Sequence, residues 1–120
     1  MKRYIFIFSS FIISLCSVAQ LTIQTGATLY LAGNAQITLQ DVSLVNDGTT
    51  TVASNGRFTF NGSSNSQLSG SQQPAFNELE IAKSGSNKLI LQRSIDVNGK
   101  VIFTSGLIDL ENQNIILGYC

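Results

Sequence analysis

Two carboxylate pairs, Glu78/Glu80 and Asp109/Glu111, come closest to catalysis in this 120-residue chain. A glycosidase needs two carboxyl groups flanking the scissile bond at about 5 to 10 Å, and residues two apart on one face of a strand can meet that distance. The neighbouring residues favour a plainer reading. Glu78 and Glu80 alternate with Leu79 and Ile81, which places the acids on the solvent side of a strand whose other side is core. The chain has no histidine, so a triad with a histidine base cannot be assembled, and zinc sites of the usual Cys and His types are excluded. No glycines are spaced to cradle a phosphate. The stretch VNDGT at 45–49 offers Asn46 and Asp47 oxygens to calcium at a turn, but no GGxGxD repeat accompanies it, and a plain turn is expected. No catalytic, cofactor-binding or metal-ligating residue is therefore expected, and no cofactor.

The N-terminus addresses the chain for export. MKRYIFIFSSFIISLCSVAQ joins Lys2 and Arg3 to an apolar run from Tyr4 to Cys16, the pattern of a secretory signal. Ser17 and Ala19 put small residues where signal peptidase reads, so residues 1–19 form the signal and 20–120 a single domain. The apolar run of about 13 residues is short of the roughly 20 that a spanning helix needs, and no stable membrane insertion is expected after cleavage. The predicted location is secreted or at the outer cell surface. Leu15, where a lipoprotein signal needs a small residue, speaks against a lipid anchor. Cleavage removes Cys16 and leaves Cys120 alone, so no internal disulfide can form; the terminal thiol either pairs between chains or has no role. Five basic residues then face seven acidic ones, a net charge of −2, with nothing basic to grip nucleic acid. Charged residues make up 12% of the chain, about half the usual share, and Ser, Thr, Asn, Gln and Gly fill the polar positions.

The elements that must position these residues repeat. Apolar pairs spaced i, i+2 fall at Ile37/Leu39, Phe58/Phe60, Leu79/Ile81 and Val101/Phe103, at steps of 21, 21 and 22 residues. Within a period the pairs are Leu21/Ile23, Leu29/Leu31 and Ile37/Leu39, then Val42/Leu44, Thr50/Val52 and Phe58/Phe60. Alternation puts both members of a pair on one strand face, and three short strands per period describe a coil with three sides. The chain is predicted to be all-β: a short right-handed parallel β-helix of four to five rungs and about 21 residues per rung. Ile23 should stack on Leu44 and Leu31 on Val52. Gly26, Gly33, Gly48, Gly56 and Gly62 fall at corners, with Asn34, Asn55 and Asn98 just before main pairs. The competing fold is an antiparallel β-sandwich, because Asn55-Gly56, Asn61-Gly62 and Asn98-Gly99 are dipeptides that hairpins prefer. Hairpins need no constant step, whereas rungs stacked about 4.8 Å apart do.

Phe58, Phe60, Phe76 and Phe103 are assigned to the core, and Tyr30 and Tyr119 outward. The segment 61–74, with Leu68 as its only large apolar residue, suggests a loosened rung with an outward loop. From Leu89 the pairs come faster and the rungs should be tight and filled. Thr38 over Thr59 and Thr28 over Thr49 make short threonine rows that Glu80 interrupts.

FNELEIAKSG at 76–85 and IDVNGKVIFTSGLIDLENQNIILG at 95–118 resemble the repeat-rich N-terminal β-solenoid regions of large exported surface proteins of the Bacteroidota, and the VAQ signal end is similar too. The resemblance implies adhesin-like cargo of the type IX secretion system, with further modules and a sorting domain downstream. This chain stops at Cys120 just after a strong strand signal, so the domain is expected to be truncated, with an uncapped last rung open to self-association. The expected function is a non-catalytic structural or adhesin-like segment that contacts extracellular glycans or proteins. One alternative is the N-terminal fragment of a β-helical polysaccharide-degrading enzyme whose catalytic rungs are missing; another is an ice-binding solenoid. N-terminal sequencing of the exported protein should begin at Gln20, and recovery of an intact Met1 would remove the export reading.

Overall fold

The structure, a computed structural model, describes residues 19–52 and 55–118. Residues 1–18 of the expected signal, and Tyr119 and Cys120, lie outside the described residues. The first rung is β1 Ala19–Ile23, β2 Thr28–Leu31 and β3 Gln36–Gln40, and the second is β4 Val42–Asn46, β5 Thr49–Val52 and β6 Arg57–Gly62. The third holds β7 Ser66–Ser69 and β8 Ala75–Lys83, the fourth β9 Lys88–Leu91 and β10 Ile95–Ser105, the fifth β11 Leu107–Asp109 and β12 Ile115–Leu117. Every pairing among these strands is parallel. The chain is a parallel β-solenoid of about five turns, and the antiparallel sandwich is overturned.

Three sheets run along the coil. The first face is β1-β4-β7-β9-β11, the second β2-β5, and the third β3-β6-β8-β10-β12. On the third face the expected columns form: Ile37 pairs with Phe58, Phe58 with Leu79 and Leu79 with Val101. Leu31 pairs with Val52 as expected. The first face keeps another register, because Leu21 rather than Ile23 pairs with Leu44, and Ile23 lies opposite Asn46. The cause is unequal corners between the first face and the second: residues 24–27 separate β1 from β2, but only residues 47–48 separate β4 from β5. The corners between the third face and the next rung's first face are unequal too. Asp41 alone separates β3 from β4, residues 63–65 separate β6 from β7, residues 84–87 separate β8 from β9, and Gly106 alone separates β10 from β11. Stacking constrains which side chains face inward and leaves corner length free.

The segment 61–74 is not a loosened rung. It contains β7, whose Leu68 is fully buried between its ladder partners Leu44 and Leu91. One large apolar residue suffices there, because the other inward position, Ser66, is buried as a polar partner to a lysine.

The second sheet stops after β5 for a visible reason. The Thr50 hydroxyl donates to the Ala75 carbonyl at 3.2 Å and accepts from the Ala75 N–H at 2.8 Å, so it occupies both backbone groups that another ladder strand would use. From there β8 and β10 run long, passing from the second face to the third. Asn98-Gly99 is not a hairpin turn; it lies where the β8–β10 register slips between Val97 and Lys100. A Cβ at Gly99 would stand 2.6 Å from the Asn77 carbonyl oxygen, the close backbone approach that a bulge glycine permits.

Phe58, Phe60, Phe76, Leu79 and Ile81 fill the middle of the coil, with Phe58 and Phe76 edge to face at 4.9 Å. Above Val97 the expectation of filled rungs fails. Phe103 pairs with Ile81 in the core register but is 57% exposed, and Leu107 and Leu117 are 50% and 60% exposed. The reason is that β12 covers only Ile95, Asp96 and Val97 of β10. Among the described residues no strand lies above Lys100–Ser105, so a core-type residue there has packing partners on one side only. Phe60→Ala should therefore cost about 3–5 kcal/mol, whereas Phe103→Ala should cost less than about 1 kcal/mol. Denaturant unfolding of both variants checks this, and equal losses would contradict the exposure described.

Candidate functional site

The outer face of the third sheet carries the first carboxylate pair. Alternation along β8 turns Leu79 and Ile81 inward and leaves Glu78 and Glu80 outward. Each acid then meets the rungs on either side. Arg57 Nε donates to Glu78 Oε2 at 2.9 Å and Lys100 Nζ lies 3.4 Å from Glu78 Oε1. Thr59 Oγ1 donates to Glu80 Oε1 at 3.1 Å and Thr104 Oγ1 to Glu80 Oε2 at 2.9 Å. The hydrogen bond from Arg57, with help from Lys100, holds the Glu78 carboxyl below its ordinary value of 4.5 against the opposing effect of burial. An ionised carboxylate bonded at both oxygens is poorly placed to donate or take a proton.

The second pair does not form as expected. β11 ends at Asp109, and Glu111 sits in the following turn at φ 41°, its N–H directed at Asp109 Oδ1 at 3.3 Å. The two therefore share no strand face, because the left-handed turn intervenes. Asp109 pairs instead with Lys88 of the rung below at 3.3 Å. The threonine rows stand as expected, with Thr38 opposite Thr59 and Thr28 opposite Thr49, and Glu80 follows Thr59.

Asn46 and Asp47 serve the neighbouring rung. Asn46 is the last residue of β4 and fully buried; its Nδ2 donates to the Gln72 carbonyl at 3.2 Å. Its own carbonyl accepts from the Gln72 N–H at 3.0 Å, while Asp47 Oδ1 accepts from the Ser71 N–H at 2.8 Å. Gly70 at φ 119° makes this possible, since a Cβ there would collide with the Asn46 backbone. Among the described residues no three His, Cys, Asp or Glu side chains gather as a metal site would require.

Lys83 is the residue that reading the sequence missed. It continues the inward series Leu79, Ile81, Lys83 and is fully buried. Nζ donates to the Asn61 carbonyl and to Ser66 Oγ, both at 2.7 Å, and lies 3.7 Å from Asp41 Oδ1. Burial pushes the Lys83 ammonium below its ordinary value of 10.5, and Asp41 opposes that shift. Asp41 is a corner residue at φ 54° whose Oδ1 accepts from both the N–H and the hydroxyl of Ser64 at 2.9 Å. Those bonds hold its carboxyl below 3.8. The cluster ties three successive rungs together at one corner. The signal was legible as a lysine on the inward beat of an alternating strand.

A polar cleft of about 300 Å³ opens at the opposite corner, where the first face turns into the second across rungs three to five. It is lined by Gln73, Gln92, Arg93, Ser94 and Gln113. Gln73 Nε2 donates to Asp96 Oδ1 at 2.7 Å, Ser94 Oγ donates to Gln113 Oε1 at 3.3 Å, and Ser94 Oγ accepts from the Asn114 N–H at 3.0 Å. A second, apolar hollow of about 350 Å³ lies at the first rung beside Leu21, Ile23, Ala27 and Leu29. The cleft residues sit on corners that carry no apolar period, so alternation does not reveal them. No family model, curated protein or solved structure matches the chain.

The two depressed carboxyls give a pH dependence of defined sign. Stability drawn from Asp41 and Glu78 is fully present above their unfolded values of 3.8 and 4.5 and is lost as pH falls through the lower folded values. The melting temperature should fall from about pH 5 downward, and Glu78→Gln should flatten that fall; an unchanged slope would contradict the pairing with Arg57 and Lys100. Lys83→Met should cost about 2 kcal/mol at neutral pH, because Ser66 Oγ and the Asn61 carbonyl lose their donor.

Proposed function

We propose that the chain is a non-catalytic solenoid segment of an exported protein, secreted or held at the cell surface, which contacts extracellular glycans or proteins in the manner of an adhesin. The observation that carries this reading is the state of Glu78 and Glu80. Stacked on one strand face, they are the best candidates for acid–base work, and neighbouring rungs occupy all four of their oxygens. The polar cleft at the other corner adds amide and guanidinium groups that are suited to holding a ligand rather than converting one.

The sequence resemblance to Bacteroidota surface proteins supports the same reading, as does the low share of charged residues, 12%. The polysaccharide-degrading alternative requires catalytic side chains beyond Cys120. The ice-binding alternative loses support from Glu80, which ends the Thr38–Thr59 row after two rungs.

The test is retention of extracellular polysaccharides and surface proteins by the immobilised chain, with the polysaccharide size followed over time. Retention without shortening is expected, and the double variant Glu78→Gln, Glu80→Gln should retain ligand to within about twofold, since exposed pairs of this kind contribute little beyond their own ladder. Progressive shortening that this double variant abolishes would overturn the reading.

A further inference from the structure

Five basic side chains lie among the described residues. Arg57, Lys83, Lys88 and Lys100 each have an acidic partner within 4.0 Å. Arg93 has none, and among the described residues its guanidinium makes no hydrogen bond either. It is also half-buried, in the wall of the polar cleft. A partly desolvated guanidinium without a partner is a group whose best interactions are still to be made.

The rest of the cleft shows what could make them. Asp96, the nearby acid, is engaged by Gln73 at 2.7 Å rather than by Arg93. Gln113, in the cleft lining, spends its carbonyl oxygen on the Ser94 hydroxyl, while among the described residues its amide donors and the amide of Gln92 make no side-chain hydrogen bond. Guanidinium and amide donors therefore outnumber free acceptors, an arrangement that favours an anion. The lining is five polar side chains, with no apolar pocket to seat a peptide side chain. Amides both donate and accept, as sugar hydroxyls do.

We infer that this cleft is a subsite for a carboxylate-bearing sugar, a hexuronic acid unit of an acidic polysaccharide, with Arg93 pairing with the carboxylate and Gln92 and Gln113 contacting hydroxyls. The inference rests on the glycan-contact reading and narrows it to a substrate class. The planar guanidinium matches a carboxylate with two parallel hydrogen bonds. Its lining residues Gln73, Gln92 and Gln113 come from three successive rungs, so the subsite extends along the stack as a chain of sugars would.

Titration calorimetry on the exported chain would use hexuronic acid oligomers, the same oligomers with every carboxylate methyl-esterified, and acetate. The free acid should bind at least about tenfold more tightly than the ester, and Arg93→Gln should remove about that tenfold and make the two ligands equal. Lys100→Gln, outside the cleft, should change binding less than about twofold, and added salt should weaken only the free acid. Arg93→Gln should melt with the native protein, because the guanidinium makes no internal bond. Equal binding of acid and ester by the native protein would overturn the carboxylate assignment while leaving glycan contact standing. Acetate competing as well as the oligomer would overturn the saccharide part, and no binding of any of the three would overturn the inference entirely. In that last case the retention of extracellular polysaccharides and surface proteins by the immobilised chain still decides the broader reading.

Discussion

The backbone ladder between rungs is the constraint from which the rest of this molecule follows. Each strand pairs with the equivalent strand of the next rung and with none in its own, so a single rung has only local turn and side-chain hydrogen bonds and no ladder to hold it. Stability is then the sum of rung-to-rung interfaces. An inward residue must tolerate its counterpart directly above and below at about 4.8 Å. Phe58, Leu79 and Val101 satisfy this in one column, and Leu44, Leu68 and Leu91 in another.

Polar residues that enter the interior take partners from the same stacking, although Asn46 Oδ1 is buried without a hydrogen-bond partner among the described residues. Lys83 takes an inward position at the end of β8; Ser66 of its own rung provides a hydroxyl, and the chain beneath provides the Asn61 carbonyl and the Asp41 carboxylate. Thr50 does likewise, turning its hydroxyl to both backbone groups of Ala75. Each substitution of a polar group for an apolar one coincides with a change in the coil. Thr50 ends the second sheet, and Lys83 closes a corner whose length changes from rung to rung. Buried polar groups of this kind carry large penalties when unpaired, which ties the corner conformations to the side chains that need them.

The outer surface follows from the same stacking. Rows of outward side chains run up the third face at one-rung intervals, so Arg57, Glu78 and Lys100 become a charge ladder and Thr59, Glu80 and Thr104 a hydrogen-bond ladder. Arginine and lysine on this face are therefore spent on neighbours. Arg93 escapes because it sits at a corner, where consecutive rungs present amides rather than carboxylates. That difference between face and corner is what separates a structural charge from one free to meet a ligand.

Much of the fold was legible from alternation and period. Pairs such as Ile37/Leu39 and Phe58/Phe60 turn both members to one side of a strand whatever surrounds them, and their step of 21 residues is one that stacked rungs require and hairpins do not. Less of the candidate site was legible. The inward beat at Lys83 could be read once the alternation of β8 was known, but its partners Asp41 and Ser66 lie 42 and 17 residues away and only the coil brings them together. The slip that puts Asn46 opposite Ile23, the exposure of Phe103 and the gathering of Gln73, Arg93 and Gln113 into one cleft depend on corner lengths and on which strands cover which. By itself the sequence determined strand identity, the inward faces and the third-face columns, because these follow from a period of two and a constant step. Tertiary structure alone decided first-face register, end exposure and the polar cleft, because those are set by how irregular corners stack, and corner residues carry no period to read.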